Sequence, residues 1–420
     1  MKVLVVGGGG REHAICMALA KSPRIDKLYC APGNGGIAAV AECLPHIVAT
    51  DTVGVVHFAL DNAIDYVMVA PDDPLAAGMV DVLEDAGIRA FGPHANAAIL
   101  EASKVFSKNF MQKYNIPTAA YKVCNLAEEA FAYVAEVGAP IVVKVDGLAL
   151  GKGVVVAQTV EEANAAIQSM MVDEKFGEAA GSRVVIEEFL TGPEVTVLAF
   201  TDGTTIVPML SSQDHKRVFD EDKGPNTGGM GVICPSPNYT PEIAAQCMET
   251  IFRPTIDAMK AEGREFRGVI YFGLMLTPKG PYVIEYNARF GDPEAQPVLE
   301  MLDTDLFEIF EAVTDGRLHE IDVKWKDGAA TCVVMASGGY PEKYEKGKEI
   351  AGLDGIPDDI TIHHAGTKLK DGAYLTNGGR VLGVTARGET LATATARAYE
   401  GVKLIGFEGA HYRTDIGGKR

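Results

Sequence analysis

A chain of 420 residues has room for two to four domains at about 100–200 residues each and for an ample buried core, so neither disulfides nor a structural metal is needed for folding. Its 38 Lys+Arg against 57 Asp+Glu leave a formal charge of −19 spread along the chain, which argues against a non-specific nucleic-acid or anionic-membrane binder; any phosphate must be held locally. Seven cysteines without a CxxC pair give no disulfide framework or zinc pattern, no apolar run approaches the roughly 18–20 residues of a membrane span, and Met1–Val6 leads into glycines instead of a signal-peptide core, so the sequence reads as soluble and cytoplasmic with reduced thiols.

In chain order, short β-branched runs alternate with helical segments over the first hundred residues, the signature of a doubly wound parallel sheet. Strands are expected at Lys2–Val6, Lys27–Cys30, Asp65–Val69 and Ala90–Gly92, with helices at Arg11–Lys21 and Leu75–Asp85. The loops Gly7–Gly10, Pro32–Gly36 and Pro71–Pro74 then fall at the carboxyl ends of strands, where such sheets bind ligands. From about Ala95 the pattern changes to a helix at Ser103–Tyr114 and a small subdomain over about 116–189, with strands at Ile141–Lys144, Gly153–Ala157 and Val184–Glu188 and a mobile glycine-rich loop, Asp146–Gly153. A longer mixed region runs to about Glu320. After Trp325 come β-runs at Ala330–Ala336, Thr361–Ala365 and Val381–Ala386 and a late helix at Glu389–Val402, a region expected to frame the substrate or pack. The expected division is 1–100, 101–320 and 325–420.

Gly7–Gly10 follows a strand and precedes a helix, but the third glycine of a GxGxxG fingerprint is missing, Glu12 or His13 standing in its place. A small phosphate ester, a bare tight turn and a dinucleotide remain open. The loop Asp146–Gly153 carries Lys152 and Gly151 and follows Lys144; it lacks Walker A spacing, and either triphosphate binding or an ordinary hairpin accounts for it. Glu187, Glu188, Phe189 and Leu190 end a strand, with Glu194 beyond, a pattern that suits an adenine edge and ribose hydroxyls as well as a solvated strand end. In Val283–Glu294 a period of two places Glu285, Asn287 and Arg289 on one strand face, where two hard oxygen donors and a guanidinium converge in a manner suited to Mg2+ shared with phosphate. Asp214–Arg217 and Gly224–Gly231 are further polar loops in the same half.

Together the motifs GGREH (Gly9–His13), PGNGG (Pro32–Gly36), DGLALGKGV, EEFLTG (Glu187–Gly192), QDHKR (Gln213–Arg217), GPNTGGMG, NARFGDPE (Asn287–Glu294), HAGT (His364–Thr367) and GGRVLGV resemble the ATP-grasp superfamily and, within it, the phosphoribosylamine–glycine ligase family. The resemblance implies a multidomain α/β protein: an N-terminal doubly wound sheet, a central ATP-grasp fold with a small mobile subdomain, and a C-terminal α+β domain. It implies joining of glycine to 5-phosphoribosylamine with ATP through a glycyl phosphate, with Mg2+ or Mn2+, in the cytoplasm, by a monomer or weak dimer without nucleic acid or membrane. Carried over, it places Lys104, Lys144, Gly151 and Lys152 at ATP phosphates, Glu187–Leu190 at adenine and Glu194 at ribose. Glu285 and Asn287 match the metal ligands; Arg289, Asp292, Asp214 and Lys216 fall at the catalytic end; Gly9, Gly10, Asn34 and Pro71–Leu75 face phosphoribosylamine. Two departures stand out. Asp72 replaces the family's usual Glu, which leaves ribose recognition there shorter or bridged by water. The strand preceding Glu285 brings no acid, so the metal is expected to lean on water and phosphate oxygens.

Overall fold

The computed structural model describes residues 1–148, 153–173 and 183–418. The first sheet has the order Glu42–Cys43, Lys27–Pro32, Lys2–Gly7, Tyr66–Val69, Arg89–Phe91, every pair parallel. Its central strand is apolar on both faces, as a sheet covered on both sides requires. Leu4 and Val6 enter one core with the helices Thr52–Asp61 and Met79–Asp85, while Val3 and Val5 enter another with Gly10–Leu19 and Leu306–Thr314.

Local chemistry moves several boundaries. The expected helix Leu75–Asp85 is two helices, Asp72–Ala76 and Met79–Asp85, because Gly78 between them adopts φ +84°. The expected loop Pro71–Pro74 is mostly the start of the first of these, Pro74 being tolerated in a first turn that needs no internal donor. The first helix opens at Gly10 and stops at Leu19, short of the expected Lys21. Thr52–Asp61, with Asp51 Oδ1 accepting from Gly54 N at 2.9 Å, was not expected, nor were Ala95–Ala102 and the short strand Glu42–Cys43.

The expected helix after Ala102 is Lys104–Lys113, capped by Ser103, whose Oγ accepts from Phe106 N at 3.1 Å. Next comes a four-stranded antiparallel sheet ordered Tyr121–Cys124, Val184–Glu188, Ile141–Val145, Val154–Ala157, which with the helices Ala127–Val137 and Val160–Ile167 builds a small core of its own. A second antiparallel sheet, ordered Ile206–Pro208, Glu194–Asp202, Arg267–Thr277, Gly280–Asn287, lies across a cleft from it. On the last strand the register slips, Gly273 pairing with Glu285 but Leu274 with Val283. This bulge lets Val283 and Tyr286, three apart, both enter the core while Glu285 and Asn287 stay on the cleft.

The remaining large sheet joins distant stretches: Gln213–Asp214 pairs antiparallel with Gly231–Cys234, which pairs antiparallel with Ala329–Ala336, followed by Arg380–Gly388 and Ile360–His364, under the helix Leu391–Leu404. The hairpin Arg217–Phe219/Lys223–Asn226 is fastened by the chain's last residues. Arg413, wholly buried, pairs with Asp222 at 2.8 Å and Asp415 at 2.7 Å and donates to Arg217 O at 3.1 Å. Among the described residues no helix is long and apolar enough to cross a membrane.

Candidate active site

The cleft between the two antiparallel sheets has a volume of about 830 Å3 and continues to the N-terminal and C-terminal segments. At one end Val142, Val154, Val156 and Met111 form apolar walls, with Glu187, Glu188, Phe189 and Leu190 along one side. Glu187 is buried and held at both oxygens: Oε1 lies 3.0 Å from Lys144 Nζ and Oε2 3.4 Å from Lys108 Nζ. Lys144 also donates to Ile284 O at 2.9 Å, tying one sheet to the other across the cleft floor. Lys104, opening its helix, donates to Gly147 O at 2.7 Å; burial lowers its pKa, and the nearby carboxylates of Glu285, Asp146 and Glu101 oppose that without reversing it.

Midway, Lys216 Nζ stands 3.3 Å from Glu194 and 3.5 Å from Glu285. Burial works against its charge, yet Glu194, Glu285, Tyr271 and Asp214 raise its pKa well above the usual lysine value. Glu285 is the counterpart: desolvation pushes it up, but Lys216, Lys144, Lys104 and Arg289 together hold it below the ordinary carboxylate range. Asn287 shares its face and accepts from Arg289 Nη2 at 3.1 Å through Oδ1. The loop after Lys216 braces it, Thr227 N and Oγ1 donating to Lys216 O at 2.7 and 2.8 Å.

The far end is built on arginines. Arg289 lies two residues beyond the end of its strand, not on it as the periodicity suggested, and still meets Asn287; it pairs with Glu101 at 2.8 Å and reaches within 3.9 Å of Asp72. Glu101 Oε2 accepts from Ala288 N at 2.7 Å. Arg289 Nε is buried without a hydrogen-bond partner among the described residues. Arg380 donates to Gly228 O at 2.7 Å and Asp292 O at 2.6 Å. Asp292 accepts from Gln296 at 2.9 Å and from Arg11 N at 3.4 Å, and although burial opposes it, Arg380 and Arg11 lower its pKa. Asp214 is pushed well up by burial and by Glu294, whose own carboxyl burial also raises and which accepts from Tyr271 OH at 3.0 Å.

The expected site residues that are described line this one cleft, apart from Gly9, Gly10, Asn34 and all of the Pro71–Leu75 loop except Asp72; Leu75 is buried in the core instead. Gly9 and Gly10 pack against Asp292 instead, a Cβ on either falling 3.3–3.4 Å from its carboxylate. Asn34 is committed within the protein: its Nδ2 donates to Gly8 O and His364 O at 2.9 and 2.8 Å, and its Oδ1 accepts from Gly36 N and Ile37 N. Gly151 and Lys152, with residues 149 and 150 of the expected mobile glycine-rich loop, lie outside the described residues. Sequence reasoning missed Lys108, Glu101, Tyr271 and Arg380 as members of the cleft. Behind Asn34, His13, His363 and His364 form a buried group joining the first helix to the C-terminal sheet, His364 N donating to His13 Nδ1 at 2.7 Å.

No group of three His, Cys, Asp or Glu side chains able to hold a metal occurs among the described residues. The donors present, a carboxylate held ionised and a neutral amide oxygen on one strand face, still fit a hard dication that completes its shell with water and phosphate oxygens. Three sequence profiles cover nearly the whole chain: the phosphoribosylglycinamide synthetase N domain (residues 1–101), its ATP-grasp (A) domain (102–295) and its C domain (330–419). The chain is 51% identical over 419 residues to phosphoribosylamine–glycine ligase of Brucella melitensis, spanning 99% of this chain and 97% of that one. It is 48% identical over 421 residues to the protein of the same name from Neisseria meningitidis serogroup B, with 100% and 99% covered. The crystal structure of phosphoribosylamine–glycine ligase from Thermotoga maritima superposes with a TM-score of 0.86 at 35% identity over 99% of this chain and 100% of that one. The biotin carboxylase domain of Hydrogenobacter thermophilus 2-oxoglutarate carboxylase, solved with MgADP, ADP and bicarbonate, gives 0.76 at 16% identity over 98% and 91%, a likeness of fold alone.

Proposed function

The chain belongs to the phosphoribosylglycinamide synthetase family, and from that premise we propose that it joins glycine to 5-phosphoribosylamine with ATP, giving glycinamide ribonucleotide, ADP and phosphate in purine synthesis. The observation that carries the reading is one continuous cleft in which a lysine-lined end and an arginine-lined end meet at Glu285 and Asn287.

A carboxylate is a poor acyl donor because its leaving group would be oxide. Transfer of the terminal phosphoryl group of ATP to a glycine carboxylate oxygen releases ADP and gives glycyl phosphate, whose leaving group is phosphate. The amine of phosphoribosylamine then bonds to the acyl carbon, phosphate departs and the amine loses a proton. Such chemistry needs positioning and charge neutralisation rather than an enzyme nucleophile. In this reading Lys104, Lys144 and Lys216 bind the phosphates, Glu187–Leu190 receive the adenine and Glu194 the ribose. Glu285 and Asn287 would hold Mg2+ or Mn2+, which when bound neutralises phosphate charge. Arg289 orients the glycine carboxylate, and Asp214, whose carboxyl burial and Glu294 raise, accepts the amine's proton. Asp292, fixed by Gln296 and Arg380, shapes the acceptor end with the Gly9–Gly10 backbone. The same reading has the enzyme work in the cytoplasm as a monomer or weak dimer, without nucleic acid or membrane.

The test is ADP release with glycine alone, with phosphoribosylamine generated in situ alone, and with both. Only the pair should sustain turnover. Equal ADP release with an unrelated acid and amine would refute the substrate assignment.

A further inference from the structure

The base end of the cleft contains a lysine to which the reading above gives no task. Lys108 lies one turn beyond Lys104 on the helix Lys104–Lys113, and its side chain is only 3% exposed. Its ammonium donates to Thr118 Oγ1 at 2.7 Å and to Ala119 O at 2.9 Å, and its third direction meets Glu187 Oε2 at 3.4 Å. The Tyr121 ring lies 5.0 Å from Nζ. Burial brings this lysine down to about 8 even with Glu187 beside it. A cation placed where its charge is so disfavoured is a poor device for stability alone. What it achieves geometrically is specific: Lys144, on Ile141–Val145, takes one oxygen of Glu187 at 3.0 Å, Lys108 takes the other, and the carboxylate is fixed at the edge of an apolar slot walled by Met111, Ala119, Val142 and Val156.

We propose that Lys108 is a positioning residue that, with Lys144, fixes the Glu187 carboxylate at the edge of the slot and thereby makes the cleft select a 6-aminopurine nucleotide over a 6-oxopurine one, an inference that rests on the reading of this cleft as the ATP site. A carboxylate can only accept hydrogen bonds. A 6-amino group donates to it, whereas a 6-oxo group brings lone pairs against its negative charge; sites that pair a polar edge in this way reject mismatches strongly. Removing the Lys108 ammonium frees Oε2 of Glu187 while Lys144 still holds Oε1. A carboxylate free to turn about that one contact no longer faces the 6-oxo lone pairs squarely, so the penalty against the wrong base falls.

The experiment compares the full-length wild type with Lys108→Met and Lys108→Gln, measuring ADP and GDP affinity by calorimetry, kcat/KM with ATP and GTP, and thermal unfolding. The wild type is expected to prefer ADP by at least about 100-fold. Each folded variant is expected to lose at least about tenfold of that preference, while kcat at saturating ATP changes by less than about threefold because Lys108 touches no reacting group. If Lys108→Met does not fold, Lys108→Gln, which retains a donor without the charge, decides the matter. An unchanged ADP/GDP ratio in a folded variant, no preference in the wild type, or failure of both variants to fold would overturn the proposal. A wild type that discriminates between the two nucleotides but ligates nothing would overturn the ligase reading and leave this one standing.

Discussion

The two ends of the cleft solve opposite electrostatic problems with different cations. At the end walled by Met111, Val142 and Val156 the charges are lysines: Lys108 and Lys144 share Glu187, and Lys104 is fastened to a carbonyl. At the acceptor end they are arginines locked into the frame, Arg289 by Glu101, Asn287 and Phe290 O, Arg380 by Gly228 O and Asp292 O, and Arg11 by Glu12 and Phe290 O. An ammonium is a compact point charge that follows a phosphate as it arrives and leaves, while a guanidinium is a flat fork that holds several acceptors in one arrangement. On the proposed reading the lysine end serves an anion in transit. The arginine end, with Asp72, Glu101, Asp214, Asp292 and Glu294 around it, serves on that reading as fixed scaffolding for substrates that carry an amine.

The contrast breaks most visibly at Arg289. Arg289→Met strands the buried Glu101 carboxylate, so denaturant unfolding should show a loss of about 3–5 kcal/mol, and kcat/KM should fall by at least about 100-fold. Arg289→Lys should restore part of the stability and little of the turnover, and a fully stable Arg289→Met would show that the arginines are not scaffolding. Acidification should strike the same side, because His13, His363 and His364 lie behind it. Burial lowers all three, His363 to about 3 and His364 to about 4. The unfolded chain takes up protons below about 6.5 where the folded one does not, so this stability is complete above pH 6.5 and is lost as pH falls toward 4. At pH 5.5 the loss should be about 1.4 kcal/mol for each of His363 and His364, with His13 acting in the same direction. Urea unfolding from pH 7 to 5.5 checks this, and His363→Gln should remove one proton from the slope. At the junction of the two ends, Glu285→Gln should lower metal-dependent turnover at least about tenfold, about 1.4 kcal/mol of transition-state stabilisation, with a near-native melting curve. Unchanged turnover in a folded variant would remove the metal role. The smallest effect sharpens the division: Arg380→Gln should raise KM for phosphoribosylamine several-fold, by about 1 kcal/mol, and leave KM for ATP unchanged.

What could be read from the sequence follows the range of the interaction. Lys2–Gly7 and Tyr66–Val69 announce themselves through apolar runs, and Ser103 signals the start of its helix, because strand burial and capping are local. Period two also found Glu285 and Asn287 on one face, although the bulge at Ile284 and the end of the strand before Arg289 were invisible to it. Glu101 looked like an ordinary helical acid and Arg380 like part of a β-run; each enters the cleft only because chain 187 or 88 residues away, at Ala288 and Asp292, folds against it. The only local trace of Lys108 is its position one turn after Lys104. Asn34 was expected to face ligand by the family resemblance, whereas its amide links Gly8 to His364.

The sheet that joins Gly231–Cys234 to Ala329–Ala336 sets an order of events during synthesis. At about 5–20 residues per second, the earlier strand waits on the order of ten seconds for its neighbour to be made. The hairpin over the cleft waits longer still, until Arg413, near the end of the chain, can pair with Asp222. The N-terminal parallel sheet can close on itself long before either event. A nascent chain therefore presents an unpaired strand edge beside an unfinished cleft for about a quarter of its translation, and a message that stalls before Arg413 would leave that hairpin unfastened.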